Sequence, residues 1–165
     1  MMLLPRDLIA RCAINFPNKM AYACGAEPRT WREMNPRSAA AARALRKLGV
    51  RQGDTVAYFG QECVAVYEHF FACMKLGAVR LGLNWRYSEK ELSHLVRDSG
   101  ARVILVDTRC EHLLAPLSAT LAELGVTLVG CGVGGSLAIN YERLLEVHAE
   151  DEPLVPVQIA GDDAL

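Results

Sequence analysis

Apolar positions along this chain recur at two periods that take turns, and the turns mark out the elements. Over residues 5–15, Leu8, Ile9 and Cys12 fall on one side of a helix. Residues 20–24 (MAYAC) read as a short strand and 25–28 as a turn. Thr30, Trp31, Arg32 and Glu33 have the spacing of a capping box, in which the Thr hydroxyl accepts from the Glu33 N–H and the carboxylate reaches back. The helix it opens runs to about Leu48, with Met34, Ala41, Leu45 and Leu48 sharing a face and Gly49 as a left-handed cap. Pro36 lies inside that helix and predicts a kink, or a restart capped by Asn35.

The same rhythm continues. Residues 55–59 (TVAYF) predict a strand and 62–76 a helix carrying Val66, Tyr67, Phe70, Phe71 and Met74, ended by Gly77. Residues 78–83 predict a strand. Ser88 and Glu91 form a second capping box, whose helix carries Leu92, Leu95 and Val96 and ends at Gly100. RVILV (102–106) is a strand, 109–124 a helix bent at Pro116, and VTLV (126–129) the next strand. Strands as apolar as VILV need cover on both faces. Alternating with helices over short connections, they predict an α/β domain, a parallel sheet in a three-layer α/β/α arrangement. Residues 136–147 offer a weak helical stripe, and 154–159 an edge strand leading to a linker.

Composition narrows the picture. The 165 residues fit one domain or a piece of a larger one, and 52% apolar against 22% charged residues allow a sizeable core. A net charge of −1 gives no bulk attraction for nucleic acid or an anionic membrane. The cysteines at 12, 24, 63, 73, 110 and 131 include no C-x-x-C and have no His at finger spacing, which argues against a zinc site. They read as reduced thiols, with one reactive thiol as the alternative. Arg6, Asp7 and Arg11 interrupt the apolar N-terminus, so it lacks the core of a signal peptide, and no run has transmembrane length. A cytoplasmic protein is expected.

One motif carries explicit chemistry. Gly130, Gly132 and Gly135 in GCGVGG spell G-x-G-x-x-G after a strand, with Glu150 and Asp151 about 20 residues on. In a dinucleotide site such glycines let the backbone approach a pyrophosphate. That fingerprint belongs on the first strand of its unit, whereas at least three strands precede this one. A turn is the simpler reading, and a self-contained nucleotide-binding module is the alternative.

Several stretches in order carry a family resemblance. They are TWREMNPRSAAAARALRKLGVRQGDTVAYF (30–59), MKLGAV (74–79), LNWRYSEKELSHLVRDSGARVILVD (83–107) and GDDAL (161–165). Together they resemble the N-terminal portion of the acyl-adenylate-forming enzymes, the AMP-binding acyl-CoA synthetases and ligases. Asn84-Trp85-Arg86 makes the CoA ligases the nearest branch. Arg80, Gly82 and Trp85 depart from the family pattern, two of them where prolines are usual. The resemblance implies the large N-terminal domain of the adenylate-forming fold, with residues 1–165 ending before the phosphate-binding loop. It implies an ATP-dependent carboxylic acid–CoA ligase, a fatty acid being the expected acid, that uses ATP, Mg²⁺ and CoA. Its partners would be the acid and the remainder of the same enzyme, with a homodimer as one assembly it allows. No catalytic residue and no metal ligand is expected in this chain, and the isolated piece is expected to be inactive.

Arg86 is the candidate binding residue. Its guanidinium offers a fork of donors suited to phosphate oxygens, and the resemblance implies a place for it at the CoA nucleotide. The alternative is a surface Arg, solvated or paired with Glu89 or Glu91. Asn84 is expected to shape its loop. His69 and His94 read as structural, Asp107 as a helix cap or an edge ligand, and Tyr67, Phe70, Phe71 and Met74 as core or the wall of an acyl tunnel.

Overall fold

Four five-residue strands do most of the organising. They belong to a computed structural model that describes residues 5–152. In chain order the elements are α1 (Pro5–Asn15), β1 (Met20–Cys24), β2 (Glu27–Thr30), α2 (Trp31–Lys47), β3 (Thr55–Phe59), α3 (Val64–Leu76), β4 (Val79–Leu83), α4 (Glu89–Ser99), β5 (Val103–Asp107), a 3-10 helix (Thr108–Leu117), α5 (Ser118–Glu123), β6 (Thr127–Cys131) and α6 (Tyr141–Val147). The last four strands form a parallel sheet in the order β4-β3-β5-β6. Val56 lies opposite Arg80 on β4 and Val103 on β5, and Val103 lies opposite Thr127 on β6. Every residue of β5 is buried, as a strand covered on both faces requires. The expected three-layer α/β/α sheet is what forms.

Each face has its own core. Val56, Tyr58, Val103, Leu105, Val129 and Cys131 point to the layer of α2, α3 and α6. Ala57, Phe59, Leu83, Ile104 and Val106 point to α4, the 3-10 helix and α5. A third cluster around Ile9, Met34 and Val64 lies under the β1–β2 hairpin.

Both capping boxes are present, at Thr30/Glu33 and Ser88/Glu91. After α2, the Gly49 N–H donates to Arg46 O and the Val50 N–H to Leu45 O, each at 3.0 Å, with Gly49 at φ +92. Four boundaries differ from expectation. Helix α2 runs through Pro36 without a restart, because its buried stripe from Met34 to Leu45 packs on α3 and holds it. Asn35 therefore caps nothing, and its Oδ1 accepts from Lys75 Nζ at 2.8 Å. Residues 27–30 are a strand, antiparallel to β1. Residues 108–117 form a tighter 3-10 helix. Pro116 has no N–H to donate, and the α-helix starts only at Ser118. Asn140, expected inside a helix, is its N-cap: its Oδ1 accepts from the Arg143 N–H at 3.0 Å. The expected edge strand at 154–159 lies outside the described residues.

Candidate functional site

In a parallel α/β sheet, the loops after the strands' carboxyl ends are where ligands meet the fold. Here those ends are Phe59, Leu83, Asp107 and Cys131. The chain passes to opposite faces after β3 and after β5, and the crevice between these two neighbours is already filled. Gly60, at φ +149, lies so close to Asp107 that a Cβ there would overlap Asp107's own. The buried Asp107 carboxylate accepts from Gln61 N at 3.2 Å, from Arg109 N at 3.0 Å and from the Arg109 guanidinium. Burial pushes this carboxyl up, but the hydrogen bonds and the Arg109 charge win and hold it below the usual carboxylate range. Asp107 caps the 3-10 helix and ties two loops together.

The open space lies between β3 and the edge strand β4. A cleft of about 700 Å³ there is lined by Tyr58, Gly60, Gln61, Arg80, Asn84 and Arg86, among others. Asn84 shapes its rim: Oδ1 accepts from Arg86 N at 3.0 Å, and Asn84 O accepts from Tyr87 N at 3.1 Å. Trp85 packs against the apolar core of the α4 face. The Arg86 guanidinium lies over the Trp85 ring, 4.3 Å from its centroid. Glu91 is occupied by its capping box with Ser88. Among the described residues Arg86 makes no ion pair, so the expected alternative of pairing with Glu89 or Glu91 is not what forms. Arg86 is a solvent-facing cation held by an aromatic ring.

The other candidates take structural places. His69 is fully buried, with Nε2 3.2 Å from Val56 O, and burial followed by the Arg80 charge pushes it down to about 3. A base that weak does not take protons at neutral pH. His94 stands exposed on α4. The six cysteines are free, and burial pushes Cys63, Cys73, Cys110 and Cys131 up, Cys73 to about 12. None of these four is a ready thiolate. Met74 is core, whereas Tyr67, Phe70 and Phe71 line a second cavity that shares Glu62, Val66 and Arg80 with the strand-end cleft.

GCGVGG is an anchored turn. Gly132 (φ +121) and Gly134 (φ +78) adopt backbone that other residues avoid. A Cβ on Gly132 would come within 2.7 Å of Thr108 Oγ1, and one on Gly135 would overlap Glu111. The Glu111 carboxylate accepts from Ser136 N at 2.7 Å and from its hydroxyl at 2.8 Å. The glycines admit a carboxylate of the protein itself, on an edge strand away from the switch point between β3 and β5.

Sequence reasoning missed Glu68. It is fully buried on α3 and pairs with the Arg37 guanidinium at both oxygens. Tyr141 Oη donates to Glu68 Oε2 at 3.1 Å, and Arg37 also holds Glu142 at 2.7 Å. The available signal was that α3 is apolar all round, so an acidic residue within it needs a buried partner.

Among the described residues no three His, Cys, Asp or Glu side chains converge as metal ligands, and no helix is long and apolar enough to cross a membrane.

Comparison with known proteins agrees with this architecture. Residues 9–163 match the family model "AMP-binding enzyme". The chain is 33% identical over 112 residues to a fatty acid–[acyl-carrier-protein] ligase of Streptomyces coeruleorubidus, covering 68% of this chain and 22% of that protein. It is 40% identical over 103 residues to a feruloyl-CoA synthase of Amycolatopsis sp, covering 62% and 21%. The solved Mycobacterium tuberculosis fatty acyl CoA synthetase superposes with a TM-score of 0.82 at 26% identity, over 97% of this chain and 31% of that one. The chain thus spans about a fifth of the length of these curated relatives. Its fold, its motifs and the span of that match agree: the chain belongs to the AMP-binding, adenylate-forming family whose members include acyl-CoA and aryl-CoA ligases.

Proposed function

We propose that residues 1–165 are the N-terminal α/β part of an ATP-dependent carboxylic acid–CoA ligase, in which Arg86 meets the CoA nucleotide phosphates. The family match over 9–163 carries this reading. In the whole enzyme a carboxylate oxygen attacks the α-phosphorus of ATP, pyrophosphate leaves, and an acyl-adenylate forms. The CoA thiol then attacks the acyl carbon, AMP leaves with the bonding pair, and the thiol proton passes to solvent or a base. Both steps gather negative charge on phosphoryl oxygens, so fixed cations and backbone donors stabilise them. This chain contributes the sheet as scaffold and the Arg86 cation at its carboxyl edge. A fatty acid is the substrate the sequence resemblance favours, although the names of relatives cover both fatty and aromatic acids. The enzyme is read as cytoplasmic.

The full-length gene product is expected to form acyl-CoA from ATP, CoA and a fatty acid, and chain 1–165 alone to form none. Absence of ATP-dependent thioester formation across fatty and aromatic acids would overturn the ligase reading. Turnover by chain 1–165 would overturn its inactivity. Arg86→Ala in the full enzyme should raise KM for CoA several-fold with little change in kcat or KM for ATP. An unchanged KM for CoA removes Arg86 from the site.

A further inference from the structure

Arg86 is held at both ends, and by different means. Its backbone N–H donates to Asn84 Oδ1 at 3.0 Å, inside the turn that Tyr87 N closes on Asn84 O at 3.1 Å. Its guanidinium lies over the Trp85 ring, 4.3 Å from the centroid. Trp85 is itself fixed, partly buried and packed on the apolar core of the α4 face. Both residues line the open cleft between β3 and β4.

The kind of partner decides what this cation can still do. A carboxylate would hold the guanidinium by its in-plane N–H groups and offset its charge. An aromatic ring holds it by its face, so the N–H donors at its edge stay open and the charge stays in place. The acids nearest in the chain leave it alone. Glu91 accepts from Ser88 N and Ser88 Oγ, and among the described residues neither Glu89 nor Glu91 forms an ion pair with Arg86. Arg86 is exposed. Without a hold, its long side chain would sample many rotamers, and an arriving phosphate would have to order it.

We propose that Trp85 is a positioning residue for CoA: its indole keeps the Arg86 guanidinium in one orientation, face down on the ring, with its N–H edge free for phosphate oxygens. This rests on the reading of Arg86 as the CoA contact, and Trp85 acts only through that residue. Lysine is then a poor replacement at position 86, because an ammonium keeps the charge but has neither the flat face nor the fork of donors.

The test is a double-variant cycle on the full-length gene product, with KM for CoA, KM for ATP and kcat measured for each form. Trp85→Leu keeps an apolar side chain on the core. It should raise KM for CoA about twofold to fivefold, with kcat and KM for ATP unchanged. Trp85→Phe, which keeps a ring, should restore most of that. Arg86→Lys, which leaves the core untouched, should raise KM for CoA by a similar factor. In an Arg86→Ala background Trp85→Leu should add nothing, because the residue through which it acts is gone. A further rise there would make Trp85 a contact of CoA in its own right and overturn the proposal. If Arg86→Ala raises KM for CoA and Trp85→Leu does not, the positioning role falls and Arg86 stays at CoA. If Arg86→Ala changes nothing, both readings fall. The stack is also read without turnover, by NMR on chain 1–165. The Arg86 Nε–H proton should lie upfield in the indole ring current, and Trp85→Leu should return it to the position of a free arginine. An unshifted proton in the unmodified chain overturns the proposal even where Trp85→Leu fails to fold.

Discussion

The two faces of the sheet are closed by different chemistry. Beneath α4, the 3-10 helix and α5, the covered side chains are apolar without exception among the core residues: Ala57, Phe59, Ile104, Val106 and their neighbours. Beneath α2, α3 and α6, the chain also buries Ser38, Glu68 and His69 completely and Arg43 almost so. Both layers join helices by Arg–Glu pairs, two around Arg37 and one at Arg97. Arg37 and Glu68 join α2 to α3, with Glu68 fully buried. Arg97 and Glu123 join α4 to α5 at 2.9 Å, with 45% and 64% of their side chains exposed. The residue types are identical, but their consequences should not be. A buried charge has given up its hydration and depends on its partner, whereas an exposed one has water as an alternative.

The largest effect should come from separating the buried pair. Arg37→Met leaves the Glu68 carboxylate inside with only the Tyr141 hydroxyl as donor, and strands Glu142. Loss of one partner of a buried pair costs about 3–5 kcal/mol, which for a chain of this size lowers the melting temperature by roughly 10 °C. Arg37→Met combined with Glu68→Leu should recover much of that loss, because the stranded charge goes with its partner. Urea unfolding of the two variants measures both numbers. A double variant no better than Arg37→Met would mean that the pair acts through packing.

The second effect is pH dependence, and it belongs to the same face. His69 has an ordinary value of 6.5, pushed down to about 3 by burial and by the Arg80 charge, with the Val56 carbonyl opposing weakly. Above pH 6.5 both folded and unfolded chains carry it neutral, and it contributes no slope. Between about 6.5 and about 3 the unfolded chain takes a proton that the folded chain refuses. Stability therefore falls as pH falls through that window, by roughly 1 kcal/mol per pH unit from this group. His69→Gln retains a donor toward Val56 O without the titration. The difference between its unfolding free energy and that of the wild type should narrow steadily from pH 7 to pH 4. A constant difference would show that His69 titrates normally.

Third in size are the caps. Thr30→Ala removes the hydroxyl acceptor from Glu33 N and half of the box that starts α2. A loss of about 1 kcal/mol is expected. A hydrogen-exchange rate at Glu33 equal to that of the wild type would count against the cap.

What could be read in the sequence divides along similar lines. Caps and helix ends were legible because their geometry is local: Thr30 with Glu33, Ser88 with Glu91, and glycines at positive φ at 49, 77 and 100. The parallel sheet was legible because buried strands such as VILV carry no polar alternation. Strand β2 was not, since Glu27 and Pro28 look like turn residues and only pairing with β1 makes them a strand. The 3-10 helix was read as α because its apolar spacing suits either form over so short a run. At the strand ends, Asn84 and Arg86 were legible as residues, and the Asn84 turn as a local motif. The Trp85–Arg86 stack needed the structure. Glu68 with Arg37 and Tyr141, and Glu111 with the glycine turn, are contacts between residues 25 or more apart in the chain, and no spacing rule reaches them.

The smallest effect sharpens the opening comparison most directly. Arg97 donates to Glu123 at 2.9 Å and to Thr120 Oγ1 at 3.3 Å, contacts as well formed as those around Arg37. The pair lowers the Glu123 carboxyl and raises Arg97, the directions that a nearby opposite charge gives. Yet both side chains keep their water, and salt screens what remains. Arg97→Ala should leave the urea midpoint within error of the wild type, at low salt and at high. If it proved as damaging as Arg37→Met, contact geometry rather than burial would decide what an Arg–Glu pair is worth in this fold. If only the buried pair responds, the polar face depends on complete pairing of its charges, and the apolar face carries its ion pair as a surface ornament of α4 and α5.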